Sequence, residues 1–367
     1  MTRAPSPSID EQSGFALLLT VFVIALATIL IMDFAEDVEA FQRSARGYSE
    51  QVQATLMLKS ALNLGRLLVE APKPEDTKDQ DWLYEAWNNI GAVPSIPLEG
   101  LMGELRIMIV DEDGKIDINA IQGPGVGTPG FGTPPIGASN PTGGAGGAAP
   151  LLDNPSFWRN ALKELFTRQG FVREQFQPDA HRTLGNVGYE AGDQVAIISD
   201  FIDRDSESFH APTFEGDGIE GGSNKAWFFN RPIRTVAELA NVPGMTLERL
   251  QQIAPYVRVS QSITGVGNSI NVNTAPLEVL LALGIPDSQA QEIAQRRLSF
   301  PFTKQILSTL VAGDPNLANR LKVNSSEFSV IARVIMPTRT FWLRATLAVQ
   351  QSGANARKAI TRSMEFY

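Results

Sequence analysis

Residues 15–32 read FALLLTVFVIALATILIM, a run without a charged residue, a proline or a glycine. As an α-helix this run would be about 27 Å long, close to the roughly 30 Å of a bilayer's hydrocarbon core. A buried core helix normally carries a polar stripe, and this run has none. A cleaved secretory signal peptide is also disfavoured, because a charged helical pattern continues directly after the run. We therefore predict a membrane-spanning helix at residues 15–32.

The apolar pattern continues beyond the run as a stripe along one side of the same helix. Alternating steps of four and three residues, the spacing of one helix face, separate its members, which are Phe34, Val38, Phe41, Ala45, Tyr48, Val52 and Leu56. Pro72 and Pro74 stop the pattern, because proline has no N–H for a helical hydrogen bond. We predict one N-terminal helix over residues 15–70, of which 33–70 form a stem in water.

The composition disfavours several classes of function. The chain has 367 residues, and 31 Lys and Arg against 40 Asp and Glu give a formal net charge of −9, which on average repels a phosphate backbone. The absence of Cys removes disulfides, thiolate zinc sites and thiol nucleophiles, and only His181 and His210 remain as imidazole bases. We expect no enzyme and no nucleic-acid partner, and we expect oxygen ligands for any bound metal.

Downstream of the stem, the patterns indicate strands, a linker, helices and strands again. Glu104–Val110 and Ile116–Ile121 flank an Asp-Gly turn, which predicts a β-hairpin. The Gly- and Pro-rich residues 123–150 are predicted to be a linker, and residues 151–325 a helical domain. Three further strands are predicted at Glu327–Met336, Phe341–Gln350 and Ala356–Phe366. These five strands are expected to form one antiparallel sheet over the stem, because two or three strands alone are barely stable.

The junction before the apolar run is Ser13-Gly14-Phe15-Ala16-Leu17, a polar leader ending in glycine. It resembles the class III signal of type IV pilins and type II secretion pseudopilins, which a prepilin peptidase cleaves after the glycine on the cytoplasmic side. The resemblance implies a leader at 1–14 and a mature N-terminus at Phe15, often methylated. It also implies a single-pass anchor in inner-membrane lipid, with a cytoplasmic N-terminus and the bulk of the chain in the periplasm.

Two further features resemble the minor pseudopilin K family. Pilin-like subunits carry Glu at the fifth position after the junction, whereas this chain has Leu19, and K is the pseudopilin that lacks this Glu. The order stem, strands, helical insertion and strands also matches that family over essentially the whole chain. The implied fold class is α+β: a pilin-like helix on an antiparallel sheet, built from residues 71–122 and 326–367, with a large all-helical insertion at 151–325.

Two similar units lie inside the helical insertion, at Thr235–Val257 and Thr274–Arg297. Each pairs two helices across a Pro- or Gly-containing turn and resembles a helix-hairpin-helix or sterile-alpha-motif module. Such modules can bind a DNA backbone, which leaves a membrane-anchored DNA-binding or DNA-uptake protein as the alternative function. Their charges favour packing instead, because each unit holds more acidic than basic residues.

Residues 200–220 read DFIDRDSESFHAPTFEGDGIE and hold seven carboxylates against one arginine. Such a cluster is favourable when a hard cation such as calcium supplies counter-charge, although a solvated acidic loop without an ion remains open. The segment resembles the calcium-binding stretch of the K family, which implies as ligands Asp203, Asp205, Glu220 and Asp200. Asp111, Asp113 and Asp117 imitate a calcium loop only weakly, and a turn is favoured there.

The resemblance implies a minor pseudopilin at the tip of the type II secretion pseudopilus, assembling with pseudopilins I and J. A missing carboxylate at Leu19 and a bulky insertion both favour a terminal position in the fibre. From helical spacing alone we expect the assembly contacts at Phe41, Tyr48 and Val52 of the stem.

Overall fold

The computed structural model describes residues 9–97, 103–122, 154–176, 186–260, 268–351 and 357–367. Its helices are α1 Ile9–Glu70, α2 Ala86–Asn89, α3 Asn154–Arg168, α4 Ala191–Ile202, α5 Leu247–Ile253, α6 Leu277–Ala282, α7 Asp287–Arg296, α8 Lys304–Leu310 and α9 Pro315–Ala318. Its strands are β1 Ile96–Pro97, β2 Glu104–Asp111, β3 Ile116–Asp117, β4 Glu174–Gln175, β5 Val187–Gly188, β6 Val257–Arg258, β7 Ile270–Asn271, β8 Leu321–Lys322, β9 Glu327–Ile335, β10 Thr340–Gln351 and β11 Arg357–Phe366. The predicted linker 123–150, His181 and residues 1–8 of the predicted leader lie outside the described residues.

Helix α1 is the single long helix predicted from the apolar run and its stripe, and it ends at Glu70 as expected from the prolines that follow. Only its C-terminal part is buried. The buried positions recur every three or four residues, which places them on one face, and they are Ala54, Met57, Leu58, Ala61, Leu62 and Val69.

The buried face of α1 packs on a five-stranded antiparallel sheet with the strand order β1-β2-β9-β10-β11. Alternate residues of β2 and β9 point at the helix, as the period of a strand requires, among them Ile107, Val330 and Ala332. Gly65 permits close approach, because a Cβ built at that position would lie 2.8 Å from Cγ2 of Val330. The fold is α+β and pilin-like, as predicted, and three of its five strands lie at the C-terminal positions expected from sequence.

The predicted hairpin at 104–121 does not form. After β2, Glu112–Gly114 makes a 3-10 turn, and β3 pairs in parallel with β6 of the insertion rather than with β2. Residues Ile118–Ile121 form a second 3-10 turn, and their apolar side chains join the core of the insertion. The fifth strand of the sheet is instead β1, which pairs with β2.

The insertion, which we call the helical unit, extends from Ile116 to Val323 and has its own buried core. It is largely helical rather than all-helical, because three two-stranded ribbons (β3-β6, β4-β5 and β7-β8) also belong to it. The first predicted hairpin unit consists of the 3-10 turn Val236–Asn241 followed by α5, and the second consists of α6 and α7.

The helical unit lies at the end of the sheet farthest from the apolar run. The chain leaves the sheet at Asp111 and returns at Glu327, at the ends of the neighbouring strands β2 and β9. Near that end, the backbone N–H of Ala359 in β11 donates to Oε1 of Glu70 at 2.7 Å. At the opposite end, Arg339 donates to the carbonyl of Gly47 at 2.9 Å.

Candidate functional site

The apolar run at 15–32 is exposed in the folded chain. Within the described residues, one helix is long and apolar enough to cross a membrane, and none of its most apolar window is buried inside the protein. Exposed fractions of 71% for Phe15 and 64% for Ile29 rule out the core-helix interpretation for this segment. Only an apolar surrounding outside the chain, a membrane or neighbouring helices, would cover it.

The predicted assembly residues lie on the surface of α1. Gly14 is open to its surroundings, because a Cβ added at this position would have no atom of a distant residue within 4 Å. Leu19 is 51% exposed. On the stem, Phe41 is 73%, Tyr48 72% and Val52 41% exposed. At about 100° per residue, these three lie about 100–140° around α1 from the face that packs on the sheet. The stem therefore offers an apolar stripe that the rest of the described chain leaves open.

The acidic segment 200–220 folds around the carboxylate of Asp200, at the end of the buried helix α4. The backbone N–H groups of Phe209, Ile219 and Glu220 donate to this carboxylate at 2.5, 2.7 and 2.9 Å. Glycine at 218 is required, since a Cβ there would lie 2.2 Å from Oδ2 of Asp200. Asp200 is fully buried and both its oxygens accept backbone hydrogen bonds, so its carboxylate organises the loop, and the calcium-ligand role implied for it stays a prediction.

Three carboxyl groups of this loop have raised pKa values, and burial is the largest cause for each. Burial first, and then the carboxylates of Asp205, Asp200 and Glu220, raise the pKa of Asp203 to about 8. Burial also raises the pKa of Glu220, against the lowering effect of its hydrogen bond from Asn230. The pKa of Asp200 is raised by burial in the same way, although its three backbone donors oppose the shift. Without a counter-charge, the loop thus concentrates carboxyl groups that resist ionisation.

Three oxygens of this region are buried without a hydrogen-bond partner: Oδ1 of Asp203, Oε2 of Glu220 and Oδ1 of Asn230. Asn230 joins the site because its Nδ2 donates to Oε1 of Glu220 at 3.0 Å and also to the carbonyl of Asp205. No local sequence pattern indicates this contact, and the φ of 48° at Asn230 is a second sign of a special position. Buried acceptors without donors fit a cation better than a solvated loop.

Among the described residues, no three His, Cys, Asp or Glu side chains are placed to hold a metal by themselves. Calcium also accepts amide and carbonyl oxygens, so the orphaned oxygen of Asn230 and the carbonyl of Asp205 count toward a calcium shell. The remaining acidic residues of the segment point elsewhere. Glu215 pairs with Lys163 at 2.5 Å and Asp217 with His210 at 2.8 Å, while Glu207 is exposed. The acceptors that the loop leaves without a donor are therefore those of Asp203, Glu220 and Asn230.

The three aspartates that weakly imitate a calcium loop are occupied by protein donors instead. Nη1 of Arg258 lies 2.6 Å from Oδ1 of Asp113 and 2.9 Å from Oε2 of Glu327, and Nζ of Lys322 lies 2.5 Å from Oδ2 of Asp113. Ser325 and Thr274 donate to Oδ2 of Asp111 at 2.5 and 2.6 Å. Oδ1 of Asp117 accepts from the N–H groups of Asn119 and Ser260. This buried cluster joins the sheet to the helical unit.

The paired helical units bury two of their three arginines and expose only Arg296. Arg249 is buried and donates to the carbonyls of Tyr189 and Val172 at 2.7 and 2.6 Å. Arg297 is buried as well and donates to the carbonyls of Val272 and Ala275. Two of the three arginines that could have bound DNA therefore hold the unit together, which disfavours the DNA-binding alternative.

No protein-family model matches the chain, and a comparison with curated proteins finds no match. Among solved structures, the chain is similar to a chain of the crystal structure of the GspK-GspI-GspJ complex from the enterotoxigenic Escherichia coli type 2 secretion system. The two chains are 16% identical with a TM-score of 0.56, and the match covers 88% of this chain and 99% of the other. At this identity, the match establishes a shared fold.

Proposed function

We propose that this chain is a minor pseudopilin of the K type, which starts the type II secretion pseudopilus with pseudopilins I and J and supports protein export. The extent of the structural match carries the proposal. Residues 1–115 and 326–367 make up less than half of the chain, so a match over 88% of it includes the helical unit as well as the helix and sheet. The large insertion is the feature that the sequence resemblance assigns to K. We assign the chain an assembly role rather than a catalytic one.

A position at the fibre tip is supported by the placement of the helical unit. It lies beyond Glu70, whereas the apolar run ends at Met32, and the helix between them is about 55 Å long. A subunit added beyond it would meet the helical unit instead of the stem of a neighbour. Leu19 also offers no carboxylate to the N-terminal amine of a subunit ahead, because its side chain cannot carry a charge.

The processing step is tested by mass spectrometry of the mature protein isolated from membranes. The proposal expects Phe15 at the N-terminus, with N-methylation. Gly14→Leu should keep the leader, because the peptidase of this family cleaves after glycine. Ala25→Leu, in the same exposed apolar run, is the matched control and should be processed like the wild type. An intact leader in the wild type, or cleavage after Met32, would contradict the proposal.

The stem contacts are tested by co-purification of the full chain with pseudopilins I and J. Phe41→Glu and Tyr48→Glu each place a charge on the exposed stripe, and we expect complex formation to fall by about tenfold or more. Gln42→Glu adds the same charge about 100° away on α1 and should leave the complex intact. Equal recovery of all three variants would remove the stripe from the interface.

We further propose that the acidic loop holds calcium through Asp203, Asp205, Glu220 and Asn230. Two observations support this proposal. Asp203, Glu220 and Asn230 each have a buried oxygen without a hydrogen-bond partner, and the pKa values of Asp203 and Glu220 are raised. A bound calcium ion would supply the missing positive charge and fix the loop between α4 and the turn at Asn230. Its contribution would be structural.

Calcium binding is tested by isothermal titration and thermal unfolding of the chelator-treated protein. At a calcium concentration of 100 times Kd, the ion should stabilise the fold by about 2.7 kcal/mol. Glu220→Gln should weaken the affinity by about tenfold or more, while Glu207→Gln, an exposed position in the same loop, should bind like the wild type. Absence of a calcium signal in the wild type, or equal loss in both variants, would contradict the proposed site.

A further inference from the structure

The sheet has a second face, opposite α1, that the described residues leave largely uncovered. Cross-strand pairs place its members in two rows: Arg106 beside Arg333 and Trp342, and Met108 beside Ile331 and Arg344. We call these six residues the outer sheet face. Met108 is 47% and Trp342 41% exposed, so this face presents two large apolar side chains to solvent.

The centre of the outer sheet face carries uncompensated positive charge. Arg106 and Arg333 are direct cross-strand partners on β2 and β9, and like charges in that relation repel each other. No carboxylate of the described residues forms an ion pair with either side chain. Nε of Arg333 is buried without a hydrogen-bond partner, and its guanidinium lies over the ring of Trp342 at 5.2 Å.

The third arginine and the acidic residues at the margin do not neutralise this centre. Nη2 of Arg344 lies 3.6 Å from Oε1 of Glu112, and the other oxygen of Glu112 is held by Lys115 at 3.0 Å. Glu365, beside Arg344, accepts a hydrogen bond from the hydroxyl of Tyr367. Glu104 lies on the same face two residues before Arg106, opposite Ile335, and within the described residues it forms no ion pair with Arg106 or Arg333.

The chain itself has no acidic segment left to cover this surface. The residues outside the described ranges contain only three acids, Glu99, Asp153 and Asp179, each in a different segment. The chain carries a net charge of −9, so a cationic patch is opposite in sign to the rest of the molecule. Charge complementarity therefore calls for carboxylates supplied by another molecule.

We propose that the outer sheet face is a docking surface for an acidic segment of a partner protein, with apolar side chains between its carboxylates. Carboxylates would pair with the guanidinium groups of Arg106 and Arg333, because arginine binds carboxylates through parallel N–H donors. Apolar side chains would cover Trp342 and Met108, and Trp, Met and Arg are the residues enriched in protein interfaces. The surface is separate from the stripe on α1, so both could be occupied at once.

The test uses the full chain in detergent micelles and a short fluorescent peptide in which Glu alternates with Leu. We expect saturable binding that weakens as the ionic strength rises above about 0.15 M. The double variant Arg106→Gln and Arg333→Gln should raise Kd by about tenfold or more, as should Trp342→Ala. Arg296→Gln, at an exposed arginine of the helical unit, is the matched control and should bind like the wild type.

Several results would overturn the proposal. These are absence of binding, equal affinity for a peptide with Lys in place of Glu, and full affinity in the double variant. Phosphatidylglycerol vesicles and a DNA duplex are the competing probes. If either binds through Arg106 and Arg333 more tightly than the peptide does, the face recognises phosphates rather than an acidic protein segment. Thermal unfolding of each variant verifies that a loss of binding is not a loss of fold.

Discussion

Arg258 is the residue whose removal should most weaken the junction between the sheet and the helical unit. It lies on β6, is 6% exposed, and pairs through Nη1 with Asp113 at 2.6 Å and with Glu327 at 2.9 Å. In Arg258→Met, Asp113 keeps Lys322 at 2.5 Å, but Glu327 loses its ion pair while remaining buried. Most of the lost stability should therefore come from the buried carboxylate of Glu327, which is left without its partner.

The magnitude follows from what Glu327 can do after the substitution. Removal of one partner from a buried ion pair costs about 3–5 kcal/mol. Glu327 can limit the loss by taking up a proton, and burial already raises its pKa. From an unfolded pKa of about 4.3, protonation at pH 7 costs roughly 3–4 kcal/mol, at 1.36 kcal/mol per pH unit. We expect Arg258→Met to lose about 3–4 kcal/mol of unfolding free energy.

Urea unfolding of the full chain in detergent micelles, followed by circular dichroism, measures this loss. Arg168→Met is the matched control, since Arg168 pairs with Glu164 at 2.8 Å on the surface of α3 and such pairs contribute about 0–1 kcal/mol. Adding Glu327→Gln to Arg258→Met should restore much of the stability, because no uncompensated charge then stays buried. A loss no larger than that of Arg168→Met, or no recovery in the double variant, would refute the reasoning.

Three further outcomes follow from the structure. Burial and the neighbouring Asp113 raise the pKa of Asp111 to about 7, so the folded chain holds a proton that the unfolded chain has lost above about pH 4. Unfolding free energy should therefore fall as pH rises from about 4 to about 7, and urea titrations should show a smaller fall in Asp111→Asn. Gly65→Ala should lower the melting temperature by crowding the sheet, whereas Gly47→Ala, with nothing closer than 4.0 Å, should raise stability by up to about 1 kcal/mol. Asp200→Asn should speed hydrogen exchange of the three amides that its carboxylate now holds, because an amide has one acceptor oxygen instead of two.

The helix and the C-terminal strands could be predicted because their signals are local. An uninterrupted apolar run, a stripe at helical spacing and Pro72 determine where α1 lies and ends, and alternation places β9 to β11 to within one residue of the predicted bounds. These patterns repeat over many positions, so no single distant contact overrides them. The exposure of Tyr48 and Val52 follows from the same periodicity.

The failed hairpin had an equally good local signal, and distant contacts overrode it. Asp111 and Asp113 belong to the predicted turn, but their carboxylates bind Thr274, Arg258 and Ser325, more than a hundred residues away. A turn that accepts donors from the insertion directs the chain out of the sheet instead of back along it. The contact of Asn230 with Glu220 could not be predicted for the same reason, because no local pattern indicates it.

The same contacts determine how firmly the helical unit is attached to the sheet. The chain enters and leaves the unit through neighbouring strands, β2 and β9, and two such connections alone would act as a hinge. Asp113 and Glu327 close the hinge by sharing Arg258, and Asn271 adds a second point of attachment by donating to the carbonyl of Asp81 at 3.0 Å. Buried charged pairs tolerate little displacement, since separating them leaves a charge without a partner. These contacts therefore join the helical unit to β9, which in turn packs through Val330 against Gly65 of the long helix that would anchor the chain in the membrane.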